Sequence, residues 1–250
     1  MEDRFSYKFF NTTANAWEAM YQAILCAKKS IYWEVYALVD DAAGQPFIEL
    51  LCQKSQEGLD VKIIVDAIGS YDLSNKSAER LRSVGAKVLV FNRLYPSLSL
   101  TGWFERVWYR THRKLLIIDE AMAVIGGVNV EQSAADWYDL HLQVSGKIIR
   151  PLLYGFAKSY VRAGGAREEM YRVLHPKAAG LNMIKEKVRF ILHAPVGATA
   201  KSPFKDTYMR ALATAKESFN LLTPYYVPDK KFLELVGRAK QRGVKVNIIL

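Results

Sequence analysis

Several features that define other protein classes are missing from this sequence. Only two of its 250 residues are cysteine, Cys26 and Cys52, which excludes a disulfide-stabilised scaffold and suggests a reducing compartment. No run of about 18 uncharged apolar residues occurs, so no membrane-spanning helix is expected. The charged first ten residues do not resemble a secretory signal. P-loop, G-x-G-x-x-G, H-E-x-x-H and C-x-x-C motifs are also absent, so we expect neither a cofactor nor a metal.

The composition predicts a folded protein with an anionic partner. Half of the residues are apolar and 12% are aromatic, which excludes intrinsic disorder. Lysine and arginine number 35 against 25 acidic residues, giving a net charge of +10. A phospholipid surface, a nucleic acid or a phosphorylated substrate would each fit this charge. The length suits one large domain or one and a half smaller ones in a soluble or peripheral protein.

Helix and strand patterns alternate along the first part of the chain. This alternation predicts an α/β layered domain with a largely parallel or mixed sheet. The predicted helices cover 17–28, 47–56 and 77–84, and the predicted strands cover 30–38, 61–65 and 87–91.

Part of this pattern returns near the C-terminus. Residues 27–31 match 215–219 at an offset of 188, and residues 58–65 match 243–250 at an offset of 185. A chance likeness between helix–glycine–strand segments is the alternative, but two segments in register argue against it. We therefore expect a first repeat over 1–180 and a partial second repeat over 190–250, with no counterpart of the residues that follow Val65.

The later part of the first repeat holds the residues with the most chemistry. Its pattern is H-x-K-x4-D-x6-G-G-x-N, formed by His112, Lys114, Asp119, Gly126, Gly127 and Asn129. Residues two apart on a strand share a face, so His112 and Lys114 project together. A turn at Asp119-Glu120 is predicted to join strands 115–118 and 122–125. The two glycines permit close backbone approach. A nucleophile or base then lies beside two phosphate-binding donors.

This spacing resembles the motif of the phospholipase D superfamily and matches it at every defined position. The surroundings look like bacterial cardiolipin synthases in particular. Residues 31–36 and 40–44 are similar to their first repeat, residues 223–229 to the opening of their second, and Asp139 and Gly146 to their acidic residue and glycine. The likeness covers essentially the whole chain except the second motif. It implies a phospholipase D-like layered fold, a mixed sheet flanked by helices.

The resemblance also implies an activity and a role for each motif residue. Phosphatidylglycerol would be converted to cardiolipin and glycerol through a phosphohistidine at His112. Lys114 and Asn129, with Gly126 and Gly127, would hold the phosphate oxygens. Asp139 matches the carboxylate that fixes the His112 tautomer, and the alternative is an ordinary strand-end aspartate paired with an arginine. Asp119 belongs to the catalytic motif, but strand alternation points it away from His112. We therefore expect it to buttress the turn.

Two further groups bear on this mechanism. Glu34 is expected either to support the site from the neighbouring strand or to be a paired polar residue. The general acid of the family is a second histidine from the second repeat, which the offset places beyond Leu250. His175 and His193 lack the motif. His141 is expected either to be a substitute acid or to be an edge-strand residue. The chain alone is therefore expected to be catalytically impaired, and to need a missing C-terminal half or a second chain.

The segment before His112 predicts where the protein works. Phe104 and Trp108 are four apart, as are Arg106 and Arg110, which gives a short aromatic face beside a basic one. With Trp103 as a further contact, this segment suits a membrane interface. Packing of these rings in a core is the alternative. We expect a peripheral protein on the cytoplasmic side of the membrane, with anionic phosphatidylglycerol as partner.

Other functions remain open from the sequence. One is a phospholipase D, another is a nuclease whose two single-motif chains pair, and a third is a non-catalytic lipid- or nucleic-acid-binding remnant. The aromatic segment favours lipid over nucleic acid. A steep salt dependence of DNA binding would favour the nuclease.

Overall fold

A computed structural model describes residues 5–92, 112–175, 203–223 and 226–249. The chain divides into two compact units, residues 1–190 and 191–250. Each unit is described by itself below.

A seven-stranded sheet forms the centre of the first unit. Its strands are β1 (Ser6–Phe10), β2 (Ser30–Val35), β3 (Asp60–Asp66), β4 (Lys87–Phe91), β5 (Leu115–Ile118), β6 (Met122–Gly126) and β7 (His141–Ser145). The order across the sheet is β1-β7-β6-β5-β2-β3-β4. Strands β2, β3 and β4 are parallel, whereas the β2–β5, β5–β6, β6–β7 and β7–β1 pairs are antiparallel. The prediction of an α/β fold with a mixed sheet is confirmed.

Helices cover both faces of this sheet. They are α1 (Thr13–Leu25), α2 (Gly44–Gln56), α3 (Asn75–Ser83), α4 (Ile149–Arg162) and the short α5 (Tyr171–Leu174), with 3-10 turns at Gln132–Ala134 and Glu168–Met170. Side-chain caps fix two of the helix starts, since Thr12 accepts from the Asn15 amide and Ser74 from the Ser77 amide. The helices bury an apolar core on each side of the sheet.

Strand alternation decides which core each residue enters. Leu116 and Ile118 of β5 pack in the core formed with α1 and α2. Leu115 and Ile117 pack in the core formed with α4. Successive residues of an extended segment face opposite sides of the sheet. The side chains just before β5 are therefore expected to alternate between the same two faces.

The second unit repeats the order helix, strand, helix, strand. Its elements are α6 (Pro203–Thr214), β8 (Ser218–Leu222), α7 (Lys230–Gln241) and β9 (Lys245–Ile249). Strands β8 and β9 are parallel, with Ser218 opposite Lys245, and in the first unit Ser30 lies opposite Asp60 on β2 and β3. The offsets of 188 and 185 connect these same positions, so both strand pairs share one register. The assignment to two repeats stays a prediction.

None of the helices in the described ranges has the length and apolarity needed to cross a bilayer. The longest of them, α4, has 14 residues.

Candidate active site

All of the motif residues except Asp119 gather at one end of the central strands. Strand β5 is antiparallel to β2 and to β6, so its beginning meets the ends of those two strands. Strand β7 begins beside the end of β6, with Gly126 opposite His141. Residues from segments that are far apart in the sequence therefore lie close together at this end of the strands.

His112 and Lys114 meet on the ring of Tyr36, the residue that follows β2. The imidazole stacks on this ring at 4.3 Å between centroids and 16° between planes. The Lys114 Nζ lies 5.1 Å from the centroid of the same ring and donates to the backbone oxygen of His112 at 3.2 Å. Sequence reasoning did not assign Tyr36 to the site, although it belongs to the family-like segment 31–36.

The electrostatic surroundings of His112 favour its neutral form. Burial lowers the pKa of this imidazole, and the positive charge of Lys114 lowers it further, while the Asp66 carboxylate acts in the opposite direction. A neutral imidazole has a free lone pair, which is the form that a nucleophile needs. The arrangement can therefore supply a nucleophile near neutral pH.

Three carboxylates act electrostatically on Lys114. Burial lowers the pKa of its ammonium group, whereas the charges of Asp139, Glu131 and Asp66 raise it. These three groups favour a protonated lysine, and a cation on this edge can bind a phosphate oxygen.

Asp66 was not among the predicted site residues. It is fully buried at the end of β3, where it accepts hydrogen bonds from the amides of Ile68 at 2.9 Å and Gly69 at 3.4 Å. The available signal was an acidic residue at the carboxyl end of a buried parallel strand, where open α/β sheets bind ligands.

The two glycines of the motif make room for the side chains of His141 and Asp139. A Cβ atom on Gly126 would overlap the His141 ring, and one on Gly127 would overlap the Asp139 carboxylate. The groups that approach these glycines closely are therefore side chains at the start of β7 and just before it. Because neither glycine has a side chain, Asp139 and His141 can pack directly against the backbone of the motif.

Asp139 lies close to the site but is not bonded to His112. Its carboxylate accepts from the Leu140 amide at 2.6 Å, and its charge acts on Lys114 and His141. Among the described residues, no hydrogen bond joins it to His112. The pairing that the family resemblance implies is therefore not formed in this structure.

Three hydrogen bonds hold Asn129 in place, one from a backbone amide and two with side chains. Its Oδ1 accepts from the Ala37 amide at 3.3 Å, and its Nδ2 donates to Glu131 at 2.9 Å. Its backbone oxygen accepts from the Trp17 indole at 2.9 Å. A carboxamide nitrogen carries two hydrogens, so its bond to Glu131 uses one of them.

Asp119 lies at the opposite end of the hairpin from His112. Its carboxylate accepts from the amides of Lys28, Lys29 and Ser30 at 3.0, 2.7 and 2.9 Å. The structure therefore places Asp119 at the turn that it was expected to buttress, and not among the groups around His112.

Glu34 lies on β2, the strand next to the start of the motif, and has a charged partner. It is fully buried and forms an ion pair with Arg113, with 3.2 Å between Oε1 and Nε.

The other histidines differ in their surroundings. The expectation that His141 lies on an edge strand is wrong, because β7 pairs with both β1 and β6. His141 is buried, its Nδ1 has no hydrogen-bond partner among the described residues, and burial lowers its pKa. His175 stacks on Tyr171 at 4.2 Å. Two predictions fall outside the described residues. They concern His193 and the membrane contacts Trp103, Phe104, Arg106, Trp108 and Arg110.

The matching family model and the curated relatives agree on one family. The model of the cardiolipin synthase, phospholipase D-like domain matches residues 20–147. A cardiolipin synthase of Halalkalibacterium halodurans is 29% identical over 92% of this chain and 46% of its own length. Cardiolipin synthase A of Pseudomonas syringae pv. syringae is 29% identical over 93% of this chain and 48% of its own length. The chain spans about half the length of these curated relatives.

A solved structure shows the same fold. The phosphatidylserine synthase of Haemophilus influenzae Rd KW20 superposes with a TM-score of 0.67, covering 97% of this chain and 60% of its own, at 14% identity. The family model spans just over half of the 250 residues, including the hairpin, its two glycines and the segment around Asp139. The chain therefore belongs to the cardiolipin synthase, phospholipase D-like domain family.

Proposed function

We propose that this chain carries the nucleophilic half of a phosphatidyltransferase of the cardiolipin synthase type. The donor would be phosphatidylglycerol, the acceptor a second phosphatidylglycerol, and the products cardiolipin and glycerol. The observation that carries the proposal is the pairing of His112 with Lys114 on the Tyr36 ring, in a chain that belongs to this family.

The first step transfers the phosphatidyl group to the protein. An imidazole nitrogen of His112 attacks phosphorus, a P–N bond forms, and the P–O bond to the glycerol head group breaks. The departing oxygen must take up a proton. The H-x-K-x4-D pattern occurs once in the 250 residues, so we assign this proton to the histidine of a second copy of the pattern, on a partner chain or on further sequence.

The second step releases the lipid to its acceptor. The free hydroxyl of another phosphatidylglycerol attacks the phosphohistidine, its proton passes to the same acid–base group, and the P–N bond breaks. In both steps negative charge develops on the non-bridging phosphate oxygens. The Lys114 ammonium and the Asn129 carboxamide would stabilise this charge.

The substrates would place the protein at a membrane surface. Phosphatidylglycerol carries a negative phosphate, and the net charge of +10 favours an anionic lipid surface. We propose that the chain binds the cytoplasmic face of the membrane as a peripheral protein, through the aromatic and basic segment before His112.

A substrate that needs no acid tests the nucleophile separately from the second histidine. In a phosphatidyl ester of p-nitrophenol the leaving group departs without protonation. We expect the chain in mixed micelles with this ester to release a stoichiometric burst of nitrophenolate and then to turn over slowly. His112→Asn is expected to abolish the burst, and Lys114→Met to slow it by roughly 10²-fold or more, as is typical of a lost charge-stabilising donor.

The control for this assay is Lys87→Met, which removes one partner of the Lys87–Glu169 ion pair at the other end of the sheet. Its burst should equal that of the unaltered chain. A burst that survives His112→Asn would contradict the proposal. Faster cleavage of a DNA phosphodiester than of the lipid ester would instead support the nuclease function.

A further inference from the structure

We propose that Glu34 and Arg113 are positioning residues for the phosphatidyl transfer. Their buried ion pair would hold the backbone between His112 and Lys114 and so fix where both side chains project. The inference rests on the proposed function, and no substrate contact is assigned to either residue.

Arg113 anchors the start of the hairpin to two other elements. Its Nε lies 3.2 Å from Oε1 of Glu34 on β2. One terminal nitrogen donates to the backbone oxygen of Gly155 at 3.4 Å, and the other donates to the Ser159 hydroxyl. Both of these acceptors are on α4, so the guanidinium joins the motif to the sheet and to the helix behind it.

The direction of this side chain determines the direction of its neighbours. Arg113 projects toward α4, on the side that Leu115 and Ile117 occupy. In an extended segment the residues before and after it must project to the opposite side. His112 and Lys114 do so, since both contact the Tyr36 ring.

The anchor acts at a point where the sheet provides little support. Strand β5 begins only at Leu115, so residues 112–114 precede the regular ladder. The Lys114 backbone oxygen accepts from the Gly126 amide at 3.3 Å, a long hydrogen bond. A side chain with polar partners on β2 and α4 can therefore restrict this segment more firmly than its backbone does.

Stability alone is a weak reason for such a pair. Glu34 is fully buried, and burying a charge is unfavourable unless a partner compensates it. Apolar residues of similar volume often replace a buried ion pair without loss of stability. The pair does, however, specify one geometry, and in-line attack at phosphorus depends on geometry to within about 1 Å.

A double variant separates positioning from stability. In Glu34→Leu with Arg113→Met both charges are removed together, so the fold should keep its melting temperature within a few degrees. The nitrophenolate burst should nevertheless be roughly 10- to 100-fold slower, because His112 is no longer fixed. The concentration of lipid ester at half-maximal burst rate should stay the same, since neither residue touches substrate.

The single variant Glu34→Gln provides a second measurement. It leaves the partly buried Arg113 beside a neutral amide, and we expect a lower melting temperature together with a slower burst. Lys87→Met again serves as the control, because it removes one partner of an ion pair remote from His112.

The outcomes distinguish this inference from the proposed function. If the unaltered chain shows no burst dependent on His112, the proposed function fails first. If that burst is present and the folded double variant reacts at the unaltered rate, the ion pair is structural only and the inference is overturned. A slower burst at an unchanged half-saturation supports it.

Discussion

The charges around one imidazole determine what His112 can do. Burial and the Lys114 ammonium lower its pKa, and Asp66 opposes them. The neutral form therefore persists to more acidic pH than it does for an ordinary histidine. In the proposed mechanism the neutral form is the nucleophile, so the burst rate should rise with pH through a pKa below the ordinary value of about 6.5.

Substitution of the neighbouring charges should move this pKa in opposite directions. Lys114→Met removes a repulsive positive charge, so the pKa of His112 should rise and the neutral fraction at a given pH should fall. Asp66→Asn removes an attractive negative charge, so the pKa should fall further. NMR titration of the His112 ring resonances measures both. A pKa that falls in Lys114→Met would contradict this description of the site.

The two glycines allow a similar test by addition of a single methyl group. In Gly127→Ala the new Cβ would overlap the Asp139 carboxylate, and we expect a loss of about 1–3 kcal/mol in the free energy of unfolding, measured by urea denaturation. The control is Gly237→Ala in α7, where an added Cβ meets nothing within 4 Å. There the change should be neutral or slightly stabilising, since alanine favours helix. Equal losses at both positions would contradict the packing argument.

At the scale of elements, the hairpin of β5 and β6 connects the site to the remainder of the sheet. Asp119 and Glu120 adopt left-handed backbone conformations, with φ of 53° and 55°, which produces the tight reversal after Ile118. The Asp119 carboxylate then fixes the beginning of β2 through three backbone amides. This contact sets the register between β2 and β5 from the end opposite to His112.

Removal of that carboxylate should therefore weaken the fold. Asp119→Ala leaves three amide donors without their acceptor, and the free energy of unfolding should fall by about 1–3 kcal/mol. Asp119→Asn keeps one oxygen acceptor and should cost less. Urea denaturation of the three proteins side by side measures the difference, and an alanine variant as stable as the unaltered chain would show that these hydrogen bonds do not support β2.

Much of the element order could be predicted because it depends on local patterns. The apolar run 115–118 and the Asp119-Glu120 turn lie where spacing and turn chemistry place them. The element ends were less predictable. Helix α1 begins at Thr13, before the predicted start at Trp17, because Thr12 caps it. Strand β2 ends at Val35, before Leu38, because Leu38 forms a bridge with Val130 instead.

The site was predictable only in part, for a physical reason. His112, Lys114 and Asn129 stand at fixed spacings in one segment, so a motif can identify them. Tyr36 and Asp66 lie on other segments, and the sheet topology brings them to the same edge. A local pattern holds no information on such non-local contacts.

At the scale of the whole molecule, the charge of +10 predicts binding to anionic bilayers that weakens as salt increases. The double variant Phe104→Ala with Trp108→Ala should reduce partition into phosphatidylglycerol vesicles while leaving the melting temperature unchanged. Tyr171→Ala, at an exposed aromatic residue outside that segment, is the matched control. Vesicle co-sedimentation measures the effect. A double variant that unfolds would instead assign the two rings to a core.

The position of a covalently bound lipid phosphate tests the central claim most directly. The chain is first reacted with the nitrophenyl phosphatidyl ester. It is then denatured at alkaline pH, because a phosphorus–nitrogen bond hydrolyses in acid, and its peptides are analysed by mass spectrometry after digestion. We predict a phosphatidyl adduct on the peptide that contains His112, formed at the rate of the burst and missing in His112→Asn. An adduct on another residue, or a burst with no adduct at His112, would contradict the account.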